Sequence, residues 1–260
     1  AIIIYMNWQT RRKFIYALSL GIFLISCTVY FLQDTIFPDP TCGDGTKNGH
    51  EVGVDCGGLC ALRCTSEVTP LTVLWSRAVQ TNRGMYDLVA MVSNKNIDNA
   101  SHEAEYEFTV FGSNGELLKS IKGKTSTPID GDFPIIEQSV SMNQVPVTVT
   151  LQITDGPHYT VHEKPTSPTI RIINERYESG DTPRVYARVM NTKRTTITDL
   201  DVLVVLYDED NNAYATGKSH IKRLDKEEIK DVIFTWNAPF VSPPVRIKVF
   251  PVFDPFIIVE

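Results

Sequence analysis

Four cysteines, Cys42, Cys56, Cys60 and Cys64, fall within one short polar segment, and their thiols are the groups of this chain most open to chemistry. In an oxidising compartment such a set pairs into disulfides; the alternative is zinc held by four thiolates, although Cys42 lies well apart from the other three. The segment TCGDGTKNGHEVGVDCGGLCALRC has too few large apolar residues to form a core, so covalent links must supply its order, which favours disulfides. Four cysteines allow three pairings, and the sequence does not choose among them. Asp44, Asn48, Glu51 and Asp55 are interleaved with glycines in the same segment. Their oxygens could hold a calcium ion, or they could cap turns that the glycines make possible. The ordered spacing of an EF-hand loop is absent.

Elsewhere the residues that catalysis needs do not gather into known patterns. There is no G-x-S-x-G, no phosphate loop and no G-x-G-x-x-G, and none of His50, His102, His158, His162 and His220 sits in an H-E-x-x-H frame. His158 and His162 have a spacing that could bind a metal from one strand face, but they fall in a proline-punctuated stretch that reads as a linker. The neighbouring carboxylates Asp208 and Asp210, and Glu227 and Glu228, read as turn acids rather than an acid–base pair. Trp75 and Trp236 suit the cores of two β-domains better than a sugar-stacking platform. The expectation is a protein that is not an enzyme, with calcium at residues 44–55 as the one cofactor to consider.

The element that must place all this is at the N-terminus. Residues 14–32 carry no charge and at about 1.5 Å per helical residue span roughly 28 Å, enough to cross a bilayer core. Arg11, Arg12 and Lys13 precede this run, so residues 1–13 are expected in the cytoplasm as a leader, with Met6 read as the true start, and everything after residue 32 outside. A cleaved signal peptide would carry a shorter apolar run and a small-residue cleavage site. A lipoprotein is the sharper alternative, because Leu24-Ile25-Ser26-Cys27 resembles a bacterial lipobox that would put lipid on Cys27, although the apolar run continues to Leu32. Trp8 suits the membrane interface.

After the cysteine-rich segment, taken as 33–66, the pattern turns to short alternating runs between turn residues, which is β-protein punctuation. Strands are expected at 71–79, 85–93, 105–111, 117–125 and 147–153, then at 170–177, 184–190, 201–207, 213–221, 228–236 and 245–250. They divide into domains 67–163 and 164–260. The halves match each other in order: LVAMVSN over VYARVMN, with Asn94 over Asn191; Phe108, Val110 and Phe111 over Val204 or Val205, Leu206 and Tyr207; and VPVTVTL over PPVRIKV. Three matches in register point to a duplication. Alternation puts Leu88, Ala90 and Val92 in a core. The fold class is therefore mainly β: one N-terminal transmembrane helix, a small disulfide-rich segment and two tandem β-sandwiches.

Two resemblances add to this. Cys42, Asp44, Gly45, Asn48, Glu51, Gly53, Val54, Asp55, Cys56, Gly57, Gly58 and Cys60 resemble a cysteine motif of bacterial surface proteins, C-x-DG-x-x-N-x-x-E-x-G-VDCGG-x-C. VVLYDEDNNAYATGK is similar to the strand-turn-strand of the FxLYD family, with Val204 in place of the phenylalanine and Leu206, Tyr207 and Asp208 following; FTVFGSNGELL in the first half departs at the tyrosine and aspartate. The resemblance implies immunoglobulin-type sandwiches of bacterial envelope proteins and brings no catalytic residues. The function expected is a membrane-anchored extracytoplasmic structural or protein-interaction module, for envelope assembly, adhesion or scaffolding of a surface complex. The alternative is a ligand-binding subunit that recognises a sugar, a peptide or calcium at the cysteine-rich loop or between the domains. The partners expected are the membrane and other envelope proteins. Nucleic acid is excluded by a net charge of −6 and a pI near 5.4, which leave no broad basic surface. The tail Phe256, Ile257, Ile258 and Val259 either completes the last strand or meets a partner.

Overall fold

A computed structural model describes residues 8–36, 42–60, 63–97, 99–153, 170–192 and 195–256. Helix α1 (Trp8–Ile36) contains the segment Trp8–Phe31, which is long and apolar enough to cross a membrane and is buried against none of the described residues. Its residues 14–32, uncharged on every side, fit a lipid setting or a signal sequence and not a solvated surface. Cys27 lies within it, outside any disulfide.

Among the described residues twelve antiparallel strands follow. The first six are β1 (Thr72–Asn82), β2 (Met85–Asn94), β3 (Ser101–Phe111), β4 (Leu117–Thr127), β5 (Gly131–Ser141) and β6 (Thr148–Ile153). The second six are β7 (Ile170–Glu178), β8 (Arg184–Asn191), β9 (Ile197–Tyr207), β10 (Ala213–Leu224), β11 (Ile229–Thr235) and β12 (Arg246–Val252). The first half forms sheets β1-β2-β5 and β4-β3-β6, and the second forms β7-β8-β11 and β10-β9-β12. Counted from the start of each half, the two strand orders are the same. Register agrees as well: Phe108 faces Leu151 and Phe111 faces Thr148, as Val204 faces Val249 and Tyr207 faces Arg246. Val204, and not Val205, is thus the counterpart of Phe108.

The strands expected from alternation are all present, with shifted ends, and β5 is added to them. Pro134 argues against a strand in sequence, yet β5 is an edge strand with one neighbour, where a missing N–H is tolerated. The expected domain boundary at 163 and 164, and with it His158 and His162, lies outside the described residues.

Each half closes a sandwich core. Leu88, Ala90 and Val92 pack with Tyr106, Phe108 and Val110 in the first, and Val185 and Val189 pack with Val202, Val204 and Leu206 in the second. Val89 and Met91, on the opposite face of β2, are buried too, as are Leu203, Val205 and Tyr207 on the opposite face of β9. These faces meet: the outer side of β1-β2-β5 packs on the outer side of β10-β9-β12, and the four sheets form one stack.

Candidate functional site

The cysteine-bridged segment holds its shape through two interleaved disulfides, Cys42–Cys60 and Cys56–Cys64. With every sulfur of the set bonded to another, no thiolate remains for zinc. Asp44, Asn48, Glu51 and Asp55 are brought together; the three carboxylates accept from local donors, while the buried Asn48 Oδ1 has no hydrogen-bond partner among the described residues. The Asp55 carboxylate accepts from the backbone N–H of Asp44 at 2.9 Å and of Gly45 at 2.9 Å, and Glu51 Oε2 accepts from the N–H of Asn48 at 3.1 Å. Asp44 Oδ2 accepts from Asn48 Nδ2 at 2.7 Å. A calcium ion would have to displace these turn caps. Gly58 lies at φ +62 with the His50 carbonyl oxygen 1.8 Å from where a Cβ would sit, so only glycine fits there.

The junction between the sandwiches is the most constructed site in the molecule. Val205, Tyr207 and Ala213 form an apolar cluster with Trp75, Ile136 and Phe250. Trp75 therefore belongs to the contact between the domains and not to the core of the first sandwich, as its sequence position had implied. Its ring meets Tyr207 edge-on at 6.4 Å, and the Arg77 guanidinium lies 5.6 Å over it. Arg77 also donates to the Ala213 carbonyl at 3.2 Å and to Asn212 Oδ1 at 3.1 Å. Burial, offset in part by Arg246 and Arg77, raises the Tyr207 pKa.

At the centre of this contact Asp87 is only 3% exposed. Its Oδ2 accepts from Thr216 Oγ1 at 2.7 Å, across the junction, and its Oδ1 accepts from the Ser139 N–H at 3.0 Å. The second bond exists because β5 bulges: Gln138 and Ser139 stand opposite Asp87, and Ser139 adopts φ 58, which turns its N–H onto the carboxylate. No sequence signal marks this pair, whose members lie 129 residues apart.

Two open clefts flank the junction, of about 560 and about 860 Å³. The smaller holds polar pairs: His102 Nδ1 lies 2.7 Å from Asp254, and Lys218 Nζ lies 2.6 Å from Asp201. His220 pairs with Asp201 at 2.9 Å. The larger is lined by Tyr214, Trp236 and Phe240. Phe240 is clasped there, stacked on Tyr177 at 6.2 Å and edge-on to Tyr214 and Trp236, while the Trp236 N–H donates to the Thr216 carbonyl at 2.9 Å. The rings serve the loop that bears Phe240, and Trp236 sits at the rim of the second core as expected.

Phe256, expected in the last strand or on a partner, is instead buried against the first sandwich beside Ala100 and Ile129, its ring 4.2 Å from that of His102. Ile257, Ile258 and Val259 lie outside the described residues. The turn acids behave as capping groups: Asp208 Oδ1 accepts from the Asn212 N–H at 2.7 Å, and Glu228 Oε2 from the Asp225 N–H at 2.7 Å.

No protein-family profile and no curated protein matches the chain. Among solved structures, a transglutaminase of red sea bream matches at 12% identity and a TM-score of 0.26, over 73% of this chain and 30% of that one. So loose a superposition carries nothing about fold or activity.

Proposed function

We propose that this chain is a membrane-anchored, extracytoplasmic structural module that works through protein contacts and not through catalysis. The observation that carries the reading is the sheet-to-sheet junction around Asp87 and Thr216, which makes one body of two sandwiches. A fused body holds its outer faces at a fixed angle to each other, which a scaffold needs and two domains on a free linker would not provide. The uncharged helix behind Arg11, Arg12 and Lys13 supports anchoring with the N-terminus in the cytoplasm. The two disulfides support an oxidising compartment for the rest. The setting these features favour is a bacterial envelope, with other surface proteins as partners. A ligand-binding role has less support, since Tyr214 and Trp236 of the larger cleft are engaged with Phe240 of its own rim.

The test is made on the full chain in its own membranes. After alkaline carbonate extraction the chain should remain in the pellet, protease added to intact cells should digest the sandwiches, and peptide mapping without reductant should return the bridges Cys42–Cys60 and Cys56–Cys64. Recovery of the chain in the soluble fraction, with all four thiols reduced, would refute the reading.

A further inference from the structure

The cysteine-bridged segment joins α1 to the first sandwich, and its composition provides no apolar core to hold it together once a bridge opens. Its two bridges stand in different surroundings. In Cys42–Cys60 the first residue is exposed and the second is only 3% exposed. A carboxylate lies against the buried sulfur: Glu51 Oε1 is 3.5 Å from Cys60 Sγ, and a Glu51 oxygen and both sulfurs of the bridge all lie within 4.8 Å of one another. The bonded sulfur carries no proton, so this contact sets an oxygen lone pair against sulfur and is not a hydrogen bond. The turn caps of Glu51 use its other oxygen: Oε2 accepts from the N–H of Asn48 at 3.1 Å and of Asp55 at 3.3 Å. Those bonds fix the carboxylate and leave Oε1 facing the bridge. Among the described residues no carboxylate stands in this way against both sulfurs of Cys56–Cys64; Glu67 meets that bridge through the Cys64 N–H, from which it accepts at 3.3 Å.

A disulfide opens when a thiolate attacks one sulfur and the other sulfur leaves with the bonding pair. In Cys42–Cys60 the attack falls on exposed Cys42, because Cys60 is buried, so the sulfur that must leave as an anion is that of Cys60. Glu51 sets a negative charge beside that forming thiolate, and within the same 4.8 Å of the sulfur under attack. A thiol whose anion is disfavoured leaves more slowly, and the burial of Cys60 acts in the same sense.

We propose that Glu51 guards the Cys42–Cys60 bridge against thiol exchange: held by its two backbone caps, its carboxylate opposes the Cys60 thiolate that exchange must form. The reaction it slows is reduction by a dithiol. The first thiolate of the reagent bonds to the Cys42 sulfur and expels the Cys60 thiolate; the second then closes a ring on the first and expels the Cys42 thiolate. The reagent ends as a cyclic disulfide, and its two electrons and two protons end on the two cysteines. Because the guard acts by charge in a partly solvated segment, it responds to salt and to the charge of the attacking thiol. A Glu51 that served only to cap the turn at 48–55 would affect both bridges alike and would not discriminate between reagents by charge. The inference goes beyond the anchoring reading and shares with it only the oxidised state of the four cysteines.

The experiment uses the full oxidised chain in a neutral detergent. Dithiothreitol is added, samples are quenched in acid, free thiols are alkylated, and peptide mapping gives the initial rate of opening at each bridge. Glu51→Gln keeps the shape of the side chain and one acceptor oxygen; it should open Cys42–Cys60 about tenfold faster and leave Cys56–Cys64 within about twofold of its former rate. Two monothiols, the cationic cysteamine and the anionic mercaptopropionate, then probe the charge itself. The ratio of their rates at Cys42–Cys60 should favour cysteamine at least about threefold more in the unmodified chain than in Glu51→Gln, a comparison in which their intrinsic reactivities cancel. In the unmodified chain that ratio should fall between about 0.05 M and about 1 M salt, a readout that does not depend on the variant folding. Equal opening rates at Cys42–Cys60 in the two chains would overturn the proposal. So would equal acceleration of both bridges with the reagent ratio unchanged, or a ratio in the unmodified chain that salt does not move. A chain isolated with all four thiols reduced fails the anchoring reading before any rate is measured, so the two failures are distinguishable.

Discussion

Replacing Asp87 by Ala removes the acceptor of two buried hydrogen bonds, one of which crosses the junction. A hydrogen bond to a charged group contributes about 1.5–3 kcal/mol, and a donor left unpaired in the interior costs about 1–3 kcal/mol. Against this, the variant no longer buries a carboxylate, which offsets part of the loss. The net expectation for Asp87→Ala is about 2–4 kcal/mol of destabilisation. Thr216→Val keeps the volume of its side chain and removes only the crossing bond, for about 1–2 kcal/mol. Because the two residues share that bond, the double variant should lose less than the sum, by about 1–2 kcal/mol. The assay is urea unfolding of the full chain in mild detergent, read by tryptophan fluorescence, with Trp75 at the junction and Trp236 in the second sandwich as reporters. A coupling below about 0.3 kcal/mol would mean that the sandwiches unfold without reference to each other, and the fused body would be wrong.

The equivalent asparagines make a second case. Asn94 Nδ2 donates to the carbonyls of Asn99 at 2.9 Å and Pro128 at 2.7 Å, and Asn191 Nδ2 to those of Thr195 at 2.8 Å and Asp225 at 3.0 Å. Alanine at either position should cost about 1–3 kcal/mol in urea unfolding, and Asn191→Asp should cost more than Asn191→Ala, because a carboxylate would face carbonyl oxygens. A third prediction concerns alkaline pH. Burial, aided by a 2.7 Å hydrogen bond to Glu137, raises the Tyr106 pKa well above the ordinary range, and burial pushes Tyr214 up to about 12. The unfolded chain ionises these phenols first, so their contribution to stability is intact below about pH 10 and is lost as pH rises toward 12. Absorbance titration should show them ionising last, and a Tyr106→Phe, Tyr214→Phe variant with an unchanged alkaline stability profile would contradict this.

Much of the fold was legible because strand alternation and the duplicated register are local signals. Two features escaped for different reasons. β5 carries Pro134, which counts against a strand until the sheet order reveals an edge. The junction escaped although a signal was present: the runs LVAMV and VLVVLY are apolar on both faces, the mark of strands buried on both sides. What could not be read was the partner of each second face, since Asp87 meets Thr216 and His102 meets Asp254 at separations of 129 and 152 residues. In the cysteine-rich segment composition was enough to predict bridging, and the pairing of Cys42 with Cys60 and Cys56 with Cys64 needed coordinates.

The internal junction also decides which faces of the two sandwiches stay open. It joins unlike sheets of the two repeats, the β1-β2-β5 side of the first to the β10-β9-β12 side of the second, so each repeat retains one unused face of the complementary kind. Left as apolar as Val89, Met91, Leu203 and Val205, those end faces would associate without limit. Arg184, Arg188, Glu105 and Glu107 stand where the repeat offers docking positions, which keeps the single chain soluble at its ends. Charged side chains at the docking positions of both end faces are therefore what distinguishes this two-sandwich body from an apolar stack that would take up further sheets.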